Sequence, residues 1–274
     1  MNKIAFFDVD GTILDKDKNL RESTIEAFKA IRAAGNYCML CTGRNLPQAQ
    51  ELDVLDTDGS ILLNGSYITL NGKVLTNKCL DKKIAADLLE YAAEIGAGVH
   101  VLTLENVYSD DNWNRQKIDF LKAGFNLSKE SFEKRARPDT PLDLMINEDI
   151  YKVDVRFPDP ETRRKYYENL DDSLNKFIDS GYYSQGGTYY AELNRRDASK
   201  GTAVEMILET LGIPKENAYG FGDSNNDVPM LEACGHKIVV ASGAPHIKEM
   251  ADLVTEAPED DGIYNAVIKL GLDK

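Results

Sequence analysis

Ile4-Ala5-Phe6-Phe7 runs without a polar interruption into Asp8-Val9-Asp10-Gly11-Thr12, and far down the chain Ala218-Tyr219-Gly220-Phe221 runs in the same way into Gly222-Asp223-Ser224-Asn225-Asn226-Asp227. Each stretch reads as a buried strand that ends in carboxylates. In an open parallel sheet the residues just past the strand ends line the ligand crevice. Acidic side chains from distant parts of the chain are therefore expected to meet at one place, where they would repel unless a cation joined them. Oxygen ligands suit a hard divalent ion, and Mg²⁺ is the expected partner.

Outward from these two stretches, strand-like and helix-like segments alternate. Residues 3–8 read as the first strand. Ser23-Thr24-Ile25-Glu26 has the spacing of a capping box and predicts a helix to about Ala34, stopped by Gly35. A strand over 37–42, a helix over 45–53 and a strand at Ile61-Leu62-Leu63-Asn64 follow. This alternation predicts an α/β fold with a Rossmann-like parallel-sheet core. The pattern then changes. Tyr67-Ile68-Thr69-Leu70 and Lys73-Val74-Leu75-Thr76 flank Asn71-Gly72, which supplies the positive φ angles of a hairpin turn.

Residues 81–95 read as a helix, with strands near 98–109 and 150–157, helices near 113–124 and 160–173, and strands near 181–193. From Ser199 the first pattern returns: helix 199–211, strand 218–221, helix 226–233, strand 237–241, a short helix opened by Ala244-Pro245, and a last helix from about 262. The expected division is a core from residues 1–80 and 191–274 with an inserted α+β domain over 81–190. A domain set between two halves of a core leads one to expect a cleft between them, where small ligands bind.

The bulk properties narrow the class. At 274 residues the chain is long enough for two domains. With 32 basic and 46 acidic side chains its net charge is 32 − 46 = −14, which argues against nucleic acid or an anionic membrane as partner. An anionic substrate would need local cations. No segment approaches the ~20 apolar residues that span a bilayer, and a strand directly after Met-Asn-Lys is not a signal peptide, so a cytoplasmic location is expected. Cys38 and Cys41 form a Cys-x-x-Cys, but on a strand they point to opposite faces and lie ~10 Å apart, too far to bridge. Cys79 and Cys234 are isolated.

Two carboxylates two residues apart in a turn after a strand can face one cavity. One of them, bound to a metal, stays ionised and can act as a nucleophile; its neighbour can keep a proton and serve as a general acid. Attack of Asp8 on phosphorus would give an aspartyl-phosphate, with Asp10 assisting the leaving alkoxide and later activating water. Phosphoryl transfer otherwise needs positioning and charge neutralisation. Thr42-Gly43-Arg44, between a strand and a helix, offers a hydroxyl and backbone N–H groups to phosphate oxygens. Lys200, at the next helix start, can offset charge on both nucleophile and phosphate. Asp223 is a candidate metal ligand, Asp227 a candidate partner of metal-bound water or of Lys200, and Asn226 a candidate phosphate donor.

Asp8-Val9-Asp10-Gly11-Thr12, Thr42-Gly43-Arg44, Lys200 and Gly222-Asp223-Ser224-Asn225-Asn226-Asp227 resemble, in order, the four motifs of the haloacid dehalogenase superfamily. Asn64-Gly65, an insertion between the second and third motifs, and Glu192 followed by Ser199-Lys200-Gly201 resemble its Cof-type branch. The resemblance covers nearly the whole chain, least clearly over the insertion. It implies a Rossmann-like core with a large α/β cap, Mg²⁺ dependence and phosphatase activity on phosphorylated metabolites such as sugar phosphates. It further implies that Asp8 is nucleophile and metal ligand, that Asp10 is the acid/base and binds metal through its carbonyl, and that Asp223 completes the protein ligands. Asp10 resembles the phosphatase and phosphomutase branches, not the transport ATPases, which carry Thr there. Relatives often have Gly-Val before Ser-Lys-Gly, where this chain has Arg195-Arg196-Asp197-Ala198, read as solvent-facing linker.

Two other acidic stretches are read as turns. Asp56-Thr57-Asp58-Gly59-Ser60 nearly copies the first motif but precedes its strand, which puts it at the opposite edge of the sheet. Asp15-Lys16-Asp17-Lys18-Asn19 with Glu26 has calcium-loop spacing, but Leu20 stands where Gly is needed. His100, His236 and His246 lack ligand spacing for zinc, and Trp113 reads as partial core. The leading expectation is a Mg²⁺-dependent phosphatase of small metabolites, monomeric or a small homo-oligomer. A phosphomutase and a non-hydrolytic phosphate-metabolite-binding protein are the alternatives.

Overall fold

β1 (Ile4–Phe7) is buried at every residue because its side chains alternate between two cores: Ala5 and Phe7 enter one, Ile4 and Phe6 the other. A strand with both faces covered reads as a continuous apolar run. Phe7 is packed against Phe28 and Phe221, with ring centroids 4.4 Å away in each case.

The computed structural model describes residues 2–124, 129–178 and 189–274. After β1 come α1 (Glu22–Ala33), β2 (Tyr37–Cys41), α2 (Leu46–Gln50), β3 (Gly59–Leu62), β4 (Tyr67–Leu70) and β5 (Lys73–Asn77). Next are α3 (Lys82–Glu94), β6 (Gly98–Thr103), β7 (Val107–Ser109), α4 (Asp111–Gly124), α5 (Lys129–Arg135), β8 (Thr140–Pro141), β9 (Ile150–Phe157), α6 (Pro160–Glu168), β10 (Leu174–Ile178) and β11 (Tyr189–Arg195). The chain closes with α7 (Lys200–Leu211), β12 (Ala218–Gly222), α8 (Val228–Ala233), β13 (His236–Val240), α9 (Pro245–Lys248), β14 (Leu253–Thr255) and α10 (Gly262–Lys269).

Two compact units result, one from Met1–Asn77 with Ala198–Lys274, the other from Lys78–Asp197. The first is an α/β fold on an eight-stranded sheet of order β14-β13-β12-β1-β2-β3-β4-β5. Strands from β14 to β3 are parallel, and the Asn71-Gly72 hairpin adds β4 and β5 antiparallel at one edge. From β1 the sheet grows one way through β2 and β3 and the other way through β12, β13 and β14. The strand order reverses between β1 and β12, which is where such sheets open a crevice.

The second unit is built on a six-stranded, mostly antiparallel sheet of order β10-β11-β9-β6-β7-β8. One face carries Val99, Val101, Val153, Val155 and Phe157 in a core with Leu88 and Tyr166. The alternate residues of β9 are Lys152, Asp154 and Arg156, buried despite their charge. Lys152 sits 3.0 Å from Asp154, which also meets His100 at 3.0 Å. Trp113 is 4% exposed, so it is fully core rather than partly so. It stacks on His100 and lies under the Arg156 guanidinium.

Several local expectations are corrected. The Ser23–Glu26 capping box does not form: α1 is preceded by Arg21 with no side-chain cap, and the Ser23 hydroxyl donates to Asp261 instead. Leu63 and Asn64 leave β3 with positive φ in a short 3₁₀ turn. The helix over 160–173 stops at Glu168, and Leu174–Ile178 is a strand; α5 is a further helix. Of the strands expected near 181–193, residues 181–188 lie outside the described residues. Asp58 accepts from the Cys38 N–H and pairs with Arg32, so the near-copy of the first motif ties strands together. Arg195 and Lys78 pair with Asp197. Among the described residues no helix is long and apolar enough to cross a membrane.

Candidate active site

The parallel register sets Phe7 opposite Phe221, and the Asp8 N–H continues the ladder to the Phe221 carbonyl at 2.9 Å. Both acidic motifs therefore leave the sheet side by side. Gly11 has φ +95°, and a Cβ there would lie 2.7 Å from Asp223 Oδ2. Only glycine lets this turn adopt that angle and lie directly against the Asp223 carboxylate. Thr12 is wholly buried and donates its hydroxyl to Asp223 Oδ1 at 3.0 Å.

Lys200 enters from α7. Ser199 caps that helix by accepting the Thr202 N–H, and the Thr202 hydroxyl accepts the Ser199 N–H in return. The first helical residue, Lys200, is wholly buried, and its Nζ lies 2.6 Å from Asp8 Oδ1 and 2.6 Å from Asp227 Oδ1. Burial alone would pull the ammonium pKa down; the charges of Asp227 and Asp8 win and hold it well above the ordinary value. The second oxygen of Asp227 accepts the N–H groups of Asp223 (2.9 Å) and Ser224 (3.0 Å) and fixes the turn.

Oxygens of Asp8, Asp223 and Asp227 lie within 4.8 Å of one another. The one ammonium that pairs with Asp8 and Asp227 leaves excess negative charge in this group. Burial first, and then the charge of Asp227, push Asp8 up to about 7 against the opposing pull of Lys200. Burial and the charge of Asp8 push Asp223 well above the usual carboxylate range. Asp8 Oδ2 is buried and makes no hydrogen bond. Excess negative charge beside an open carboxylate oxygen fits a divalent cation, with Asp8 and Asp223 the residues able to hold it. Asp227 belongs to the group by distance, but both of its oxygens are engaged, one by Lys200 and one by the turn.

The Asp10 carboxylate points elsewhere. Arg44 grips it with Nε on Oδ2 at 2.9 Å and Nη2 on Oδ1 at 2.8 Å, and Lys18 Nζ adds a contact to Oδ1 at 2.6 Å. Burial would raise its pKa, but Lys18 and Arg44 together hold it well below the usual carboxylate range. In this arrangement Lys18 and Arg44 favour the ionised form of Asp10 over the protonated form expected from the sequence. The turn read from sequence as solvated is thus the one that delivers Lys18 to the site. No signal in the residues themselves pointed to Lys18; only the fold-back of its turn onto Asp10 does.

Of the expected phosphate contacts, Thr42 is buried and its hydroxyl accepts the Arg44 N–H at 3.2 Å, with Gly43 in the bend between them. Arg44 also donates to the Gln48 carbonyl, so its guanidinium is committed within the site. Asn226 Oδ1 accepts from the Ser224 hydroxyl at 3.0 Å. Cys38 and Cys41 are both buried free thiols, with burial pushing each up.

This architecture is that of a hydrolase family with a parallel-sheet core. A family model for haloacid dehalogenase-like hydrolases matches residues 5–267. The chain belongs to that family, in its Cof-type branch, and is a phosphoric monoester hydrolase. It is 28% identical over 283 residues to YkrA of Bacillus subtilis (strain 168), a phosphatase by inference, covering 100% of this chain and 99% of that one. It is 27% identical over 260 residues to a phosphoglycolate phosphatase of Methanothermobacter thermautotrophicus, covering 95% of each. The solved structure of a haloacid dehalogenase-like hydrolase from B. subtilis shares the fold, with a TM-score of 0.82, 23% identity and coverage of 98% and 99%.

Proposed function

We propose that the chain is a Mg²⁺-dependent phosphatase of small phosphorylated metabolites, sugar phosphates or similar, with Asp8 as nucleophile. The observation that carries this reading is Asp8 itself, one oxygen fixed by Lys200 and the other buried without a hydrogen bond, in a carboxylate grouped with Asp223 and Asp227. An oxygen of Asp8 bonds to phosphorus as the bond to the leaving oxygen breaks, giving an aspartyl-phosphate and an alkoxide that takes up a proton. Water then attacks phosphorus, releasing phosphate and restoring the carboxylate. Mg²⁺ held by Asp8 and Asp223, with the Asp10 carbonyl as a further ligand, supplies charge neutralisation to the phosphoryl group.

Lys200 offsets charge on Asp8 and on the incoming phosphate, and Asp227 holds Lys200 in place. Thr42, the backbone at Gly43 and Arg44, and Asn226 contact the phosphate oxygens. Asp10, once its pair with Lys18 opens and it has taken up a proton from solvent, gives that proton to the leaving alkoxide and, as the carboxylate again, takes one back from the attacking water. We take the unit Lys78–Asp197 to be the cap that selects the leaving group, and the acidic, cytoplasmic protein to bind neither nucleic acid nor membrane. Phosphate release from a panel of phosphorylated sugars, nucleotides and cofactors, with Mg²⁺ and with EDTA, tests the reading. Release that EDTA abolishes supports it. Tight binding of a panel member without turnover, or transfer of the phosphoryl group to a second hydroxyl, rejects it.

A further inference from the structure

We propose, resting on the phosphatase reading above, that Lys18 is a specificity-determining residue that reads an anionic group on the leaving portion of the substrate. Arg44 alone satisfies both oxygens of Asp10, so the Lys18 contact at 2.6 Å is redundant for fixing that carboxylate. The two cations also differ in freedom. The Arg44 side chain is 13% exposed and its remaining nitrogen is bound to Gln48, whereas the Lys18 side chain is 34% exposed. A lysine ammonium on a four-carbon stem is a point charge that can change partners by rotation alone.

The turn that carries Lys18 does not need its side chain. Asp15 accepts the N–H groups of Asp17 and Asn19, each at 2.9 Å, and the Lys18 N–H reaches the Asp15 carbonyl. Yet Lys18 stands at φ +67°, where Gly or Asn would be less strained. A lysine kept in a strained position, unnecessary to its turn and to the position of its partner, is placed there for its charge. In a chain of net charge −14, an incoming second anion needs such a local cation. On binding, the ammonium passes from Asp10 to a carboxylate or second phosphoryl oxygen of the leaving group, while Arg44 keeps Asp10 in place.

Steady-state kinetics of Lys18→Ala and Lys18→Arg on two substrate classes test this. Phosphoglycolate and 3-phosphoglycerate carry a carboxylate; glucose 6-phosphate and glycerol 3-phosphate do not. Lys18→Ala should lower kcat/KM for the carboxylate class roughly 10- to 100-fold, through KM, as loss of a charge-assisted hydrogen bond does. The neutral class should keep its KM, with any loss there appearing in kcat through the changed charge beside Asp10, and Lys18→Arg should recover most of the carboxylate-class loss. An equal loss in both classes, a loss confined to kcat, or an unchanged ratio between the classes overturns the assignment. No phosphate release by the wild type from any of the four or from the wider panel above rejects the phosphatase reading itself, and this inference with it.

Discussion

Lys200 Nζ lies 2.6 Å from Asp8 Oδ1 across 192 residues of sequence, and the same nitrogen lies 2.6 Å from Asp227. One buried ammonium thus joins the first acidic motif to the last. Its position follows from the parallel pairing of β1 with β12 and from α7 starting at Lys200 against that pair.

Removing that ammonium should be costly. Lys200→Met leaves Asp8 and Asp227 buried with their cation gone, and breaking a buried pair this way costs about 3–5 kcal/mol. Denaturant unfolding of the metal-free protein near neutral pH measures it. Wild-type stability in this variant would mean that the two carboxylates do not depend on Lys200.

The raised Asp8 carboxyl sets a pH dependence with a definite sign. Its pKa is about 7 in the folded protein against an ordinary 3.8. Without metal, between these values the folded state keeps a proton that the unfolded chain has released. This group's contribution is fully present below about pH 4 and is lost as pH rises toward about 7, by ~1.4 kcal/mol per unit. A divalent cation needs the carboxylate, so Mg²⁺ affinity should rise with pH over the same window and then level off. Thermal midpoints of wild type and Asp8→Asn, with and without Mg²⁺, from about pH 5 to about pH 8, resolve both trends. A Mg²⁺-induced shift that is equal at both ends of the range contradicts the assignment.

Gly11→Ala should damage both fold and site. The new Cβ would sit 2.7 Å from Asp223 Oδ2 at a φ of +95°, and strain of that kind costs about 1–3 kcal/mol. Displacement of Asp223 should also weaken Mg²⁺ binding. Calorimetric titration with Mg²⁺ beside a thermal melt checks this, and unchanged values in both would show that the turn has room to spare.

Both strands that carry the acidic motifs were legible because their physics is local: an uninterrupted apolar run needs two covered faces, and β1 has them. Asp8, Asp223 and Asp227 could be brought together from strand order alone. What escaped depends on partners remote in sequence. The Ser23 hydroxyl fits a capping box, but it donates its hydrogen bond to Asp261, from far along the chain. The first motif by itself does not show that Arg44 and Lys18 grip Asp10. Lys18 itself sits among acidic and polar neighbours that read as a solvated turn, and nothing in those residues encodes the fold-back onto Asp10. The strand at Leu174–Ile178 is recognised through its pairing with β11, which short-range pattern does not reveal.

If Asp8 accepts the phosphoryl group, acid quenching during turnover should trap it there. With a substrate labelled on phosphorus and Mg²⁺ present, label should appear on the peptide that contains Asp8, and none in Asp8→Asn, whose turnover should fall by a factor on the order of 10⁴ or more. Label on another residue, or an Asp8→Asn protein that keeps about a tenth of wild-type turnover, would contradict it.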